Sequence, residues 1–437
     1  MKYISIILAL FICTQILAID TASSIPFSNS YLQRASGIEA LYWNPANINK
    51  FPAHNELMIP FYPSFSFSAE NKGITLGVYN QLMVDFLDEN LKRKLTDAID
   101  DYFVFDGNSR SILMGFSHGN LAYSSAINLI THARADKQFI EMAFHGNVYE
   151  KEYDFTHEKN DFMLLAYKDL TAGYGGFNLN QYLPVEFDYI PNIDLGVSAS
   201  ILFGLSAMEM VSFKGNLSTN DIDGVVLDQY TDIKMAGLID NKNEIHGKGL
   251  GAGFKAAFGL SVDAYEFDET HYIKAGLTID NIGAQIRWKG NTTNTRYYII
   301  SDSVHVATTD KEYYIQDKET WNIEDFTTRI PLNLKIGTLY RWNEVTASLD
   351  YSQYFGSTKA FNYDPSISLG LEYLLYENFP LQIGFRLPIG DLHATNSLGF
   401  GYRHRNFEIG FAMQAIGAFW SYNTEGVAFA TQMKIRF

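Results

Sequence analysis

The sequence predicts an all-β fold, a transmembrane antiparallel β-barrel, on three observations. The last residues alternate: Val427, Phe429, Thr431, Met433, Ile435 and Phe437 are mostly apolar, while Ala428, Ala430, Gln432, Lys434 and Arg436 between them are small or polar. A period of two is a β-strand whose faces see different surroundings, as a barrel strand does between lipid and a polar interior. Beyond residue 18, no stretch reaches the ~20 apolar residues that a membrane-crossing helix needs. The chain holds 32 Phe and 28 Tyr, residues suited to girdles at membrane interfaces.

Taken alone, the closing strand would also suit a soluble sandwich; the other end of the chain decides. Lys2 precedes an apolar run from Ile4 to Leu17, and Ala18 follows. That is the pattern of a cleaved signal peptide over 1–18. Cys13 is the only cysteine, so the mature chain holds no disulfide and no cysteine metal site. Residues 19–56 are polar to mixed and contain Glu39-Ala40-Leu41-Tyr42-Trp43-Asn44-Pro45-Ala46. The residue before proline avoids the helical region, so the chain bends at Asn44-Pro45.

The remainder, 57–437, reads as the barrel. Alternating runs include Ile59–Phe67, Ile74–Tyr79, Ile112–Phe116, Ala122–Ile130, Asp194–Leu205, Leu250–Val262, Tyr272–Ile279 and seven more from Leu332 to Phe437, with weaker candidates in 138–180. About 14 strands result, and single-chain barrels favour even numbers. Leu87, Leu91, Leu95 and Ile99 recur every four residues, which predicts a short helical insertion over about 85–100 with one apolar stripe. Packing against the barrel explains that stripe better than a ligand does. The polar stretches 214–248 and 289–328 read as long outer loops. The latter contains Tyr297, Tyr298, Tyr313, Tyr314 and Trp321.

Charge and motifs exclude several functions. The formal net charge is −16, the wrong sign for a nucleic-acid backbone and for anionic head groups. Gly247-Lys248-Gly249-Leu250-Gly251-Ala252-Gly253 is no phosphate loop, because its glycines recur every second residue along one strand face. The ten histidines show no metal-binding spacing; His157-Glu158 and Arg403-His404-Arg405 read as solvated turn residues, and Ser117-His118-Gly119-Asn120 as a hairpin turn. No catalytic residue, metal ligand or cofactor is assigned. Arg34, Arg287, Arg329, Arg386, Glu39 and Glu372 are candidates for the lumen, where charges pair with one another.

Small residues followed by Glu-Ala-Leu-Tyr-Trp-Asn-Pro-Ala resemble the N-terminal signature of outer-membrane barrels similar to the long-chain fatty-acid transporter FadL. The type IX secretion barrel PorV and uncharacterised Bacteroidota-type barrels share it. Leu277–Gly283 and Ile330–Gly337 resemble that group's strand-end Asn-hydrophobic-Gly and Leu-Pro strand start. The resemblance implies that 19–56 is a luminal hatch, with Tyr42, Trp43, Asn44, Pro45 and Ala46 in it. It implies location in a Gram-negative outer membrane after signal cleavage, in contact with lipid. A terminal aromatic strand, Met433, Ile435 and Phe437, resembles the signal read by the barrel-insertion machinery. Two functions follow from the resemblance: uptake or passage of a hydrophobic small molecule, or docking of secretion-system proteins. A structural barrel without transport is the third.

Overall fold

A sheet with an apolar outer face can leave no unpaired edge in lipid, so its strands must close on themselves. The computed structural model shows such a closure. It describes residues 21–437 except 52, 54, 59–63, 83–87, 147–149, 183–190, 221–223, 238–249, 305–313, 357–363, 391–392 and 418–422. The expected leader, 1–18, lies outside the described residues.

In chain order the strands are β1 (Asn55–Met58), β2 (Ser64–Lys72), β3 (Tyr102–His118), β4 (Leu121–Asp136), β5 (Tyr153–Thr156), β6 (Asp161–Asn178), β7 (Asn192–Asn220), β8 (Gly224–Gly237), β9 (Gly251–Asp268) and β10 (His271–Trp288). There follow β11 (Thr293–Val304), β12 (Tyr314–Asn322), β13 (Phe326–Arg329), β14 (Leu332–Trp342), β15 (Val345–Phe355), β16 (Ser366–Leu375), β17 (Phe379–Pro388), β18 (Thr395–His404), β19 (Phe407–Ile416) and β20 (Gly426–Arg436). All pairings among them are antiparallel, and fourteen wall positions close the ring: β1 with β2, then β3, β4, β6, β7, β9, β10 and β14 to β20. β20 pairs back onto β1 at Glu56↔Arg436 and onto β2 at Phe65↔Thr431. The seam ends with Asn55 N–H donating to the Phe437 carbonyl at 2.9 Å and Phe437 N–H to the Asn55 carbonyl at 3.1 Å.

The alternation of β20 holds. Val427, Phe429 and Phe437 are exposed on the outer face, while every even residue from Ala428 to Arg436 is buried. Leu369, Leu371, Leu381, Ile383 and Leu398 continue that apolar exterior round the wall. Short hairpins lie at the end that holds Phe437, as at His118–Leu121, where Gly119 has φ 53°. Exposed Tyr265, Phe267, Tyr340, Trp342 and Tyr373 ring this turn end, an interfacial girdle.

The other end differs from the sequence expectation in three places. The stretches expected as loops over 214–248 and 289–328 are largely strand. β7 runs for 29 residues, although ~9–11 suffice to cross a membrane. Its upper half leaves the ring to pair with β5 and β8, and β8 continues through β11 to β12 as an outer sheet. Polar strands solvated on both faces have no hydrophobic alternation to reveal them, which is why the sequence reads as loop. Tyr313 lies outside the described residues; Tyr297 and Trp321 are exposed on this sheet.

Secondly, the run read as a strand at Ile74–Tyr79 opens a helix, α1 (Leu76–Leu82); a run this short fits both periods. The expected insertion is α2 (Glu89–Ala98), with Asp88 capping its N-terminus by accepting from Leu91 N–H at 2.8 Å. Its stripe residues Leu95 and Ile99 are buried, and it packs against α1 and against α3 (Lys137–His145). α3 lies within the stretch thought weakly strand-like. Its Phe139 and Met142 cover Tyr153, Phe155, Phe213 and Leu217 of the outer sheet. Thirdly, Arg287 and Arg329 point outward, not into the lumen.

Candidate functional site

The lumen is filled from the turn end by residues 21–51. This hatch has little regular structure: three 3₁₀ turns, Ile25–Phe27, Glu39–Leu41 and Pro45–Asn47, joined by bends. Asn44 starts the last turn in an extended conformation and accepts from Ala46 N–H at 3.1 Å, with Pro45 in the first helical position. The predicted bend at Asn44-Pro45 is therefore a capped turn. Ile25, Leu32, Ile38, Ala40, Ala46 and Ile48 are wholly buried. Such burial in a lumen lined by polar strands requires close fit, and the wall supplies it by omission. A Cβ at Gly115 would strike Ile38, at Gly173 Leu41, at Gly196 Pro45, at Gly259 Asn44, at Gly384 the Phe27 backbone and at Gly399 Pro26. These glycines come from six different strands, so the hatch is fitted on all sides.

Polar contacts fix the hatch in register. Arg34 donates to Ser348 Oγ at 2.9 Å and to the Thr346 carbonyl at 2.7 Å, while its guanidinium lies 4.2 Å over the Phe27 ring. Burial lowers its pKa. Leu32 N–H donates to Asp350 at 2.7 Å, and Ile38 N–H to Glu56 at 3.1 Å. Glu39 accepts from Tyr31 at 2.8 Å and is ion-paired with Lys434 on the closing strand. Around it runs a chain of charges at the turn end: Glu56–Arg436 at 3.1 Å, Arg436–Glu408 at 2.7 Å, Glu408–Arg403 at 3.6 Å and Arg403–Glu372 at 3.3 Å. Arg403, expected as a solvated turn residue, is thus a half-buried member of an ion-pair ladder whose carboxylates are buried. At the hatch exit Lys50 pairs with Asp194 and, at 3.5 Å, with Asp263.

The predicted site residues sit together at the inner surface of the hatch, where it meets the open part of the lumen. Tyr42, Trp43, Asn44, Pro45 and Ala46 are all buried. The Tyr42 hydroxyl bonds Ser124 at 2.6 Å and donates to Asp169 at 2.9 Å. Burial, then the Asp169 carboxylate, pushes its pKa well up. Trp43 Nε1 donates to Thr21 at 3.0 Å. The Lys335 ammonium rests 4.4 Å over the Trp43 ring and donates to the Tyr42 carbonyl at 3.2 Å; Arg110 lies 4.5 Å over the Tyr42 ring. Such cation–π contacts gain strength where water is excluded. The sequence reading missed Arg110, Lys255, Lys335, Asp169 and Asp280. Each lies at an inward parity of its strand, the one signal that could have found them.

Beyond Tyr42 and Trp43 lies a cavity of about 110 Å³. One side, formed by Ile130, Tyr167 and Ile330, is the margin of a buried apolar cluster centred on Trp288 and Ile286. Gly204 and Gly251 leave the room that Trp288 occupies. The other sides are polar and include Arg386. The two remaining motifs of the sequence meet at this cavity. β10 bulges on both sides of Ile282, with Asn281 at φ 61° and Gly283 at φ 66°. Asn281 donates to the Pro331 carbonyl at 3.0 Å, and Ile330 N–H to the Ala284 carbonyl at 3.1 Å. The bulge sets Asp280 between Lys255 at 3.8 Å and Lys335 at 3.9 Å.

Met433, Ile435 and Phe437 lie on the outer face of the seam, with Phe437 60% exposed. Among the described residues no group of three or more metal-binding side chains occurs. His132 and Asp106 pair at 2.7 Å in the lumen, and His132 Nε2 has no hydrogen-bond partner among the described residues.

No family model matches the chain. No curated protein matches it. Among solved structures, the toluene transporter TbuX of Ralstonia pickettii aligns at 12% identity over 94% of this chain and 98% of that one, with a TM-score of 0.49. A FadL homologue of Pseudomonas aeruginosa aligns at 9% identity over 97% and 100%, with a TM-score of 0.48. The toluene transporter TodX of Pseudomonas putida aligns at 10% identity over 91% and 93%, with a TM-score of 0.44.

Proposed function

We propose that the protein is an outer-membrane barrel for passage of a small molecule, FadL-like in architecture, with the turn end in the periplasm and the outer sheet outside the cell. The closed wall with its apolar exterior supports the membrane location. The observation that carries the passage reading is the cavity over Tyr42 and Trp43. It lies between a fitted hatch and the far mouth, and it touches both a buried apolar cluster and the bulge of β10. The resemblance implies a hydrophobic cargo, and the Ile130–Tyr167–Ile330 side of the cavity offers such a cargo a surface. The test is native mass spectrometry of the protein extracted from its own outer membrane, before and after Trp43→Ala. A retained small-molecule adduct that the substitution removes supports passage. A clean barrel accompanied by stoichiometric proteins overturns it in favour of docking.

The docking reading rests on a separate observation. The outer sheet ends in β12, whose residues 315–322 are exposed on both faces and which pairs, among the described residues, with β11 alone. A free strand edge is a template for strand addition by another chain.

A further inference from the structure

Arg386 is the one charged residue of the cavity lining with no ion pair or hydrogen bond among the described residues. It sits on β17, and its Nε is buried without a partner. The other cations of the lining are engaged: Lys335 with Trp43, Tyr42 and Asp280, and Arg110 with Asn128 at 2.8 Å and the Tyr42 ring. Of the lining carboxylates, Asp280 lies between two lysines, and Glu70 and Asp364 have interactions of their own. Arg386 is half-buried, with no counter-charge among the described residues, and its planar fork matches a carboxylate.

A second unpaired group lies in the same lining. Asn333, on β14, is 2% exposed, and its Oδ1 has no hydrogen-bond donor among the described residues. A buried unmade acceptor costs as much as a lost hydrogen bond, and a hydroxyl would satisfy it. The remaining observation is the apolar side. Tyr167, on β6 beside the Arg110 guanidinium, and Arg386, on β17, stand seven wall positions apart in a ring of fourteen, so the aromatic margin of the cavity and its one cation unpaired among the described residues face each other across the lumen. A flat apolar body suits the first, and an anionic end the second.

From these groups we infer that the cavity takes a hydroxylated aromatic acid, its carboxylate on Arg386 and a hydroxyl within reach of the Asn333 carbonyl oxygen. This rests on the passage reading for its biological sense and adds the chemical class of the cargo. It departs from a plain hydrocarbon, which would leave both polar groups unmade.

Four probes of one skeleton separate the terms: 4-hydroxycinnamate, cinnamate, 4-vinylphenol and styrene. Binding to the detergent-solubilised full-length protein is measured by calorimetry, and entry into liposomes carrying the barrel is measured with labelled probes. 4-Hydroxycinnamate is expected to bind most tightly, cinnamate and 4-vinylphenol more weakly, and styrene least. Arg386→Gln is expected to weaken the two acids by about tenfold or more, the scale of one charge-assisted hydrogen bond, and to leave 4-vinylphenol unchanged. Arg386→Lys, which keeps the charge and loses the fork, should fall between. Unboiled gel mobility checks that each variant remains a closed barrel. Styrene binding as tightly as 4-hydroxycinnamate, or acids indifferent to Arg386→Gln, overturns the inference. Styrene entry without acid binding overturns it and leaves the passage reading standing. Acid binding that depends on Arg386, without entry of any probe, supports the site and removes passage.

Discussion

Replacing Lys434 by Met tests whether the hatch is a structural part of the barrel seam. Lys434 lies on the closing strand, 3% exposed, against the wholly buried Glu39 of the hatch. Its loss would leave Glu39 with the Tyr31 hydroxyl as its hydrogen-bond donor, since the second carboxylate oxygen has no partner among the described residues. Removing one member of a buried pair costs about 3–5 kcal/mol, because the other charge stays buried and uncompensated. The neighbouring Glu56–Arg436–Glu408 contacts remain, so the loss should sit at the lower end, about 3 kcal/mol. The double variant Glu39→Leu with Lys434→Met removes both charges. It should recover most of that, since replacing a buried pair by apolar groups is often near neutral.

The assay is the urea midpoint for loss of the fast-migrating, unboiled band, with folding yield in vesicles measured alongside. If Lys434→Met shifts stability by less than about 1 kcal/mol, the pair behaves like an exposed one and the hatch is not coupled to the seam. If the double variant is no better than Lys434→Met, the cost is lost packing and the charge argument fails.

Three further outcomes follow from the same geometry. Gly196→Val should abolish or greatly reduce the closed band, because its side chain would meet the Pro45 backbone, which cannot rotate aside as a side chain can; overpacking costs about 1–3 kcal/mol even where neighbours yield. An unchanged band would show that the hatch shifts freely. Trp43→Phe should cost about 1–2 kcal/mol through the lost bond to Thr21 and the weaker face under Lys335, read as a lower urea midpoint; no change would mean those contacts are unmade in solution. At the mouth, the Glu425 carboxylate 2.9 Å from His393 raises the histidine's pKa. A raised folded pKa means stabilisation that is complete below the ordinary histidine value of about 6.5 and is lost as pH rises through the folded value. Protease cleavage of the connections near His393 should therefore quicken as pH rises from 6 to 9, and His393→Gln should remove the dependence; a flat profile in the native protein would refute the pairing.

The parts of this fold that were legible are those where a physical boundary imposes a period on the sequence. Lipid on one face and lumen on the other force a period of two, so β20 is readable residue by residue, and the same parity would have placed Lys434 and Arg436 inside. No such boundary acts on the outer sheet. Residues 315–322 are solvated on both faces, and the sequence there carries turn-like composition despite pairing along its whole length. The Asn44-Pro45 segment of the hatch was legible as a bend. The hatch's partners were not, because Glu39 and Lys434 are 395 residues apart and only barrel closure brings them together. Arg386 was visible as a lumen candidate. That it has no partner among the described residues is a property of the closed ring, since any of the thirteen other wall positions or the hatch could have supplied an acid.

The glycines decide what kind of motion passage requires. A plug that swings out of a barrel needs a lumen smooth enough to slide along, with its own side chains as the moving surface. Here the surface is interlocked: Phe27 reaches Gly370 and Gly384, Ile38 Gly115, Leu41 Gly173 and Pro45 Gly196, each hatch group seated where the wall has no Cβ. Withdrawing the hatch as a body would drag each of these groups past the Cβ atoms above or below its seat, while breaking the Glu39–Lys434 and Ile38–Glu56 contacts at the same time. The wall is less regular than the plug is loose. β10 bulges on both sides of Ile282, beside the cavity. Strand irregularities of this kind are where ladder hydrogen bonds are fewest. On the passage reading, a cargo resting on Tyr42 and Trp43 would therefore meet less resistance at the bulged wall than in expelling the hatch. Cross-linking the hatch to the wall through a cysteine pair placed at Ser30 and Ser348, whose hydroxyls are 2.9 Å apart, should on that account leave probe entry largely intact, and a cross-link that abolished entry would show that the hatch itself must leave.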